Sequence, residues 1–412
     1  MSLIRPFRAL RPAPALAADV LAPPYDVVSG AEARAMALGR PLSFLHVSRA
    51  EIDLPEFADP YGPEVYERAS ASFTALMGAH VLRADPSPGF YVYRLADGVH
   101  VQTGLVVAAS LQAYRDHRIK RHELTRPDKE ADRARHIAAL GAQTGPAMLA
   151  YPEAPAIDRL IERNAAGAPD TEVLGADGTR HAIWPIFDPE TVAQLRREFD
   201  ALPALYIADG HHRTAAAERV ARERGSRQSD AAAWDGFLAV AFPHHSMRIL
   251  DYNRLVRDLN GLTESAFLAA LGAHFAVSEC EGPVRPRGPR EFGLYLPDRW
   301  FRLCAREDTG AELDAAAGLD VSLLSHVILG PILGIHDLRR DSRIEFSGGR
   351  RSLGDIENRV HTGMAAAFVV HPCAMADLMA IADQGGIMPP KSTWFEPKLA
   401  DGLVSLQFGA HE

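Results

Sequence analysis

The stretch Leu205-Tyr206-Ile207-Ala208-Asp209-Gly210-His211-His212-Arg213-Thr214 constrains this chain more than any other. Leu205, Tyr206 and Ile207 combine apolar, aromatic and β-branched side chains, the composition of a buried strand. From Thr214 onward alanine, glutamate and arginine predict a helix that Gly225 ends. Asp209-Gly210 between them is a tight turn, since glycine adopts backbone angles that other residues avoid. A strand that turns directly into a helix aims the first backbone N–H groups of that helix at one point, and the helix dipole adds to them. His211, His212 and Arg213 stand in this mouth, and an arginine can fork onto a phosphate or a carboxylate. Asp209 as a simple cap on a solvated helix start is the competing account. So much polarity directly after a buried strand favours an anion site.

Hairpin signals occur beside such strand-to-helix turns. Asp97-Gly98 and Asp177-Gly178 each separate runs of apolar and β-branched residues. Residues 41–47 also read as a strand, 150–168 as a helix after Pro152, and 237–242 as a buried strand. Ser29 with Glu32 forms a capping box for a helix over 30–38. Together these signals predict an α/β protein of α+β character with mixed sheets. A chain of 412 residues exceeds the usual size of one domain. The Pro-, Gly- and Arg-rich passage at 280–293 looks like a linker. The expected division is therefore a core at 1–278 and a C-terminal α/β segment at 279–412, whose 388–399 loop returns to the site.

Residues 114–136 are almost entirely charged. Thr125 and Asp128 resemble a capping box, and Arg126, Lys129, Glu130 and Arg133 fall on about one helix face. A solvated face explains the run equally well. Gln143-Thr144-Gly145-Pro146 supplies a second polar glycine loop directly after it.

A net charge of −9 argues against a general binder of nucleic acid or acidic membranes. The longest apolar runs are interrupted, as by His371, Pro372 and Asp377, so no membrane helix is expected. The N-terminal Pro- and Ala-rich stretch lacks a clean apolar segment, so no signal peptide is expected either. Three cysteines with no metal-knuckle spacing suit a reducing, cytoplasmic setting. Zinc is not expected from His244-His245 with His211 and His212, because adjacent histidines do not easily face one ion and no helical i, i+4 pair occurs. The expected partner is a small-molecule substrate, with oligomerisation left open.

Ala-Pro-Pro-Tyr-Asp-Val at 22–27, Lys-Arg-His-Glu-Leu-Thr at 120–125, Gln-Thr-Gly-Pro at 143–146, Asp-Gly-His-His-Arg at 209–213 and Met-Pro-Pro-Lys-Ser-Thr-Trp-Phe-Glu-Pro-Lys-Leu at 388–399 appear in that order. The set resembles a bacterial and archaeal family known as a domain of unknown function, and the match runs nearly end to end. Separately, the strand, the Asp-Gly-His-His-Arg turn and the following helix resemble the phosphate-binding corner of the ParB and sulfiredoxin superfamily. This implies a ParB/sulfiredoxin-like nucleotide-binding core with additional α/β segments. In that superfamily the Gly-x-x-Arg turn holds nucleotide phosphate. The sulfiredoxin turn carries a cysteine where His211 or His212 stands here, and the basic DNA-binding extension of partition proteins is not apparent. Among the superfamily's activities, the free serine kinase fits by elimination.

The resemblance implies a phosphotransferase moving a phosphoryl group from ATP, ADP or diphosphate to a small-metabolite hydroxyl, with free L-serine as the acceptor. Phosphates would rest on Gly210, His211, His212 and Arg213. Mg²⁺ would use Asp209 or Asp26, and the base would be Glu123 or Asp26. Tyr25, Lys120, Arg126, Lys391 and Thr393 are the substrate-binding candidates. Arg213, as an exposed helix-start residue, is expected to contribute little to stability. Two other accounts stand beside this one: a nucleotide-binding switch without metabolic turnover, and a structural protein whose charged stretch is solvated surface.

Overall fold

A computed structural model of the chain describes residues 2–225, 234–310 and 318–408. It divides into two compact units, one built from Met1–Met247 with Pro397–Glu412 and the other from Arg248–Glu396. The expected boundary near 278 falls inside the second unit, because Phe275–Cys280 is a strand paired along its length with Arg299–Ala305. The passage read as a linker joins two strands of one sheet.

In the first unit a nine-stranded mixed sheet runs in the spatial order Ile119–Lys120, Leu205–Asp209, Ala147–Tyr151, Gly236–Pro243, His100–Ser110, Phe90–Asp97, Arg180–Ile186 and Thr171–Leu174, with Ile4–Arg5 also paired to His100–Ser110. Leu205–Asp209 lies parallel to the edge strand Ile119–Lys120 and antiparallel to Ala147–Tyr151, which is itself parallel to Gly236–Pro243. The mixed α/β class read from the sequence is the class observed. Asp97-Gly98 and Asp177-Gly178 make the two expected hairpins, with Gly98 and Gly178 at φ +58 and +82. A second sheet of four short strands includes Ala142–Gln143 and Ser405–Gln407.

Helix positions follow local chemistry. Ser29 and Glu32 close the expected capping box on Gly30–Ala37. The helix Pro127–Leu140 begins at Arg126 without a side-chain cap, and Thr125 Oγ1 donates to Glu130 Oε2 at 2.9 Å instead, so the Thr125–Asp128 box does not form. The segment read as a strand at 41–47 is irregular and ends in a short helix, Leu45–Ser48. Phe44, Leu45 and Val47 are buried there together, without the alternation a half-buried strand requires, and Phe44 meets Phe73 edge-on. The helix expected after Pro152 is present but shorter, Pro155–Asn164, because residues 150–151 belong to the strand Ala147–Tyr151.

The second unit carries a six-stranded antiparallel sheet in the order Phe275–Cys280, Arg299–Ala305, Glu291–Leu296, Ala366–Val370, Tyr252–Val256 and Ile344–Gly348. Arg254 is fully buried in it, its guanidinium against the carbonyls of Tyr252 and Lys391. Burial lowers that guanidinium to a pKa of about 10.

Candidate functional site

Leu205–Asp209 is buried up to its last residue, and its register with Ala147–Tyr151 slips between Ile207 and Asp209. Such an irregularity ends the pairing and re-aims the chain. Gly210 then turns at φ +94, and the helix His211–Gly225 begins. A Cβ at Gly210 would stand 3.0 Å from both Cα and Cβ of Ala147, so the turn needs glycine on two counts. Gly210→Ala is expected to cost about 1–3 kcal/mol of stability, the usual penalty for such a conformation. Urea melts check this, and an unchanged midpoint contradicts it.

The first helical bond at this end is Thr214 N to Gly210 O at 2.9 Å. The N–H groups of His211, His212 and Arg213 therefore precede the intrahelical ladder and point out of the helix start. Asp209 closes the other side of the turn. Its Oδ1 accepts from Gly210 N at 2.7 Å and its Oδ2 from Lys398 Nζ at 2.9 Å, with Arg213 Nη2 3.7 Å away. Burial alone would raise this carboxyl, but Lys398 and Arg213 hold it well below the usual carboxylate range.

Arg213 is only 11% exposed as a side chain. Nη1 donates to Pro146 O, and Nη2 faces Asp26 Oδ2 at 3.8 Å. Burial opposes its charge, yet Asp26 and Asp209 outweigh that and raise its pKa above the ordinary value. The expectation of an exposed helix-start arginine does not hold: tertiary packing encloses it.

Beside Arg213 lies a small cleft lined by Tyr25, Arg133, Thr144, Gly145, Arg213 and Asp401 among others. Arg133 stacks on the Tyr25 ring at 4.0 Å and pairs with Asp132 at 2.8 Å. Burial, then Asp26, pushes the Tyr25 phenol above its ordinary value. Asp401 is 2% exposed, and its Oδ1 has no hydrogen-bond partner among the described residues. Gly145 lets it approach, since a Cβ there would meet Oδ1 at 3.1 Å. Burial raises the Asp401 carboxyl to about 7 against the pull of Arg213. An acid with a raised folded pKa binds more protons folded than unfolded, so stability falls as pH rises from about 4 to about 7. Asp401→Asn should flatten that slope in thermal melts across this window, and an unaltered slope refutes the assignment.

On the other side of the helix start, His122 meets the His211 ring edge-on at 4.5 Å. The side-chain ligand atoms of His122, Glu123 and His211 all lie within 4.8 Å of one another, so these three residues are able to hold a metal ion. Burial lowers His122 to about 4, and burial with the neighbouring His122 takes His211 well below its usual value, so both imidazoles are neutral near pH 7.

The structure thus brings Tyr25, Asp26, Glu123, Asp209, Gly210, His211, His212 and Arg213 around one strand end. Lys120 ends the edge strand, with Nζ 6.0 Å from the Tyr206 ring. Arg126 differs from expectation: its exposed guanidinium pairs with Asp128 at 2.8 Å, and only its backbone N reaches His212 Nδ1, at 3.4 Å. A helix start in solvent lets the nearest carboxylate take the guanidinium. Lys391 and Thr393 belong to the second unit, where Lys391 is exposed at φ +62 with Nζ over the Tyr252 ring. Each Asp209 oxygen already accepts one hydrogen bond, from Gly210 N and from Lys398 Nζ. The sequence reading passed over Lys398, Asp401, Arg133 and His122. Lys398 and His122 lay inside quoted motifs, Arg133 lay on the noted charged face, and Asp401 carried no signal.

A family model described as a protein of unknown function (DUF1015) matches residues 4–322. A search of curated proteins finds no match. Among solved structures, a conserved hypothetical protein from Pyrococcus furiosus is 14% identical, with 72% of this chain and 93% of that one covered and a TM-score of 0.36. Free serine kinase in complex with AMP is also 14% identical, over 70% and 86%, with a TM-score of 0.37. SbnI with a C-terminal truncation, from Staphylococcus aureus, is 10% identical over 73% and 87%, with a TM-score of 0.38. At these TM-scores no activity transfers.

Proposed function

The chain belongs to the family of unknown function DUF1015, and from that premise we propose that it is a phosphotransferase acting on the hydroxyl of a small amino acid, L-serine fitting best. The observation that carries the reading is the corner at Asp209–Arg213. Three helix-start N–H groups, the Arg213 guanidinium and the Lys398 ammonium gather at one buried strand end. Preorganised donors of this kind neutralise charge on a transferring phosphoryl group. Mg²⁺ enters this reading with the donor nucleotide or diphosphate, as part of the substrate.

The cleft beside the corner supports a zwitterionic acceptor. Arg133 offers a cation for a carboxylate, and Asp401 a carboxylate for an ammonium group. Asp26 is the carboxylate we assign to the acceptor's proton, because it is exposed and faces Arg213 at 3.8 Å. Purified protein with Mg²⁺ and ATP, ADP or diphosphate in turn should release phosphoserine when L-serine is added, and much less product with threonine or glycerate. Tight nucleotide binding without phosphoserine from any donor would replace this reading with a nucleotide-binding switch.

A further inference from the structure

His122 and His211 are 2% and 7% exposed. Nε2 of His211 has no hydrogen-bond partner among the described residues, and the hydrogen bond of the His122 ring with the Ile207 backbone leaves its other ring nitrogen without one among them. Buried polar atoms left unsatisfied are destabilising, so such groups call for a ligand. Glu123 completes the set, with its carboxylate within 4.8 Å of both rings' ligand atoms.

Sheet pairing explains how the three meet. Leu205 and Tyr206 pair in parallel with Ile119 and Lys120, so the chain leaving the edge strand runs beside the end of Leu205–Asp209. His122 and Glu123 are thereby delivered next to the first residue of the helix His211–Gly225.

From this geometry we infer that His122, Glu123 and His211 bind a divalent transition-metal ion of the Zn²⁺ type. Two imidazoles and one carboxylate suit Zn²⁺ and its neighbours, whereas Mg²⁺ prefers oxygen ligands throughout. Bonds of about 2.0–2.2 Å place ligand atoms roughly 3–4 Å apart, so the widest pair must close by about 1 Å, within the reach of side-chain rotation. Three protein ligands leave a coordination position for water or for an oxygen of a substrate. The ion would act as a Lewis acid beside the phosphate corner, a role that rests on the phosphotransferase reading, while its binding does not. With Glu123 on the metal, Asp26 remains for the acceptor's proton.

The test uses the full chain, freed of metal by chelation and then dialysed, with no nucleotide present. Calorimetry with Zn²⁺ should give a single tight site, and Co²⁺ should give the visible absorption of a site with nitrogen ligands. Loss of an outer-shell partner alone weakens metal sites about 10- to 100-fold, so loss of either ring should weaken this one about 100-fold or more. His122→Gln and His211→Gln should do so and abolish the Co²⁺ spectrum, Glu123→Gln should weaken binding and alter the spectrum, and exposed His245→Ala should change neither. Thermal melts identify any variant that fails to fold, and for such a variant the Co²⁺ spectra of Glu123→Gln and wild type decide. Wild-type protein that binds no Zn²⁺ or Co²⁺ tightly, or a site unaltered by these substitutions, overturns the inference. Because no phosphoryl transfer is measured, failure here is separable from failure of the phosphotransferase reading.

Discussion

Asp26→Asn is expected to lower kcat for phosphoserine formation by about 10²- to 10⁴-fold, the range typical for loss of a general base. Asparagine keeps the shape of the side chain and its position opposite Arg213, but it cannot take a proton at neutral pH. Donor binding should change little, because the anion contacts assigned here come from the helix start, Arg213 and Lys398. A loss confined to kcat, with the donor's Kd unchanged, is the signature of an interaction made only in the transition state. A Kd that rises as steeply as kcat falls would place Asp26 in donor binding. Unchanged turnover would move the proton to another carboxylate.

Arg213→Lys should weaken ATP, ADP or diphosphate binding about 10- to 150-fold by calorimetry. A bidentate charge-assisted contact is worth roughly 1.5–3 kcal/mol, and lysine keeps the charge but loses the fork. The lysine variant is the informative one, because Arg213 is enclosed with Asp26, Asp209 and Asp401 around it. Arg213→Ala would remove the enclosed guanidinium that faces those carboxylates. Its loss of binding would then be confounded with loss of fold, and a lowered melting temperature should accompany it. If Arg213→Lys binds every donor as wild type does, the corner does not hold phosphate.

The strand, the glycine turn and the helix over 205–225 were legible because their determinants are local. Apolar residues in a short run, a glycine at a positive φ and a run of helix formers act within a few residues of one another. The same holds for the two hairpins and the capping box at Ser29, where side chain and backbone are near neighbours. Local signals failed where packing decided. Phe44, Leu45 and Val47 look like a strand, yet all three are buried against helices rather than alternating. The unit boundary was misplaced because a Pro-Gly-Arg passage looks the same as a linker whether it joins domains or two strands of one sheet.

At the candidate site the sequence by itself determined a turn able to present backbone N–H groups and an arginine to an anion. It also supplied the motifs that surround that turn. Tertiary structure alone decided that Arg213 is enclosed, that Lys398 closes onto Asp209, that Asp401 is buried with an oxygen unpartnered among the described residues, and that His122 meets His211. The physical reason is that each of these depends on strand pairing and on the chain's return at Pro397, between residues far apart in sequence. Spacing along a chain sets which residues share a helix face or a turn, but burial, and with it the charge state of a histidine or carboxyl, is set by whatever the rest of the fold packs against it.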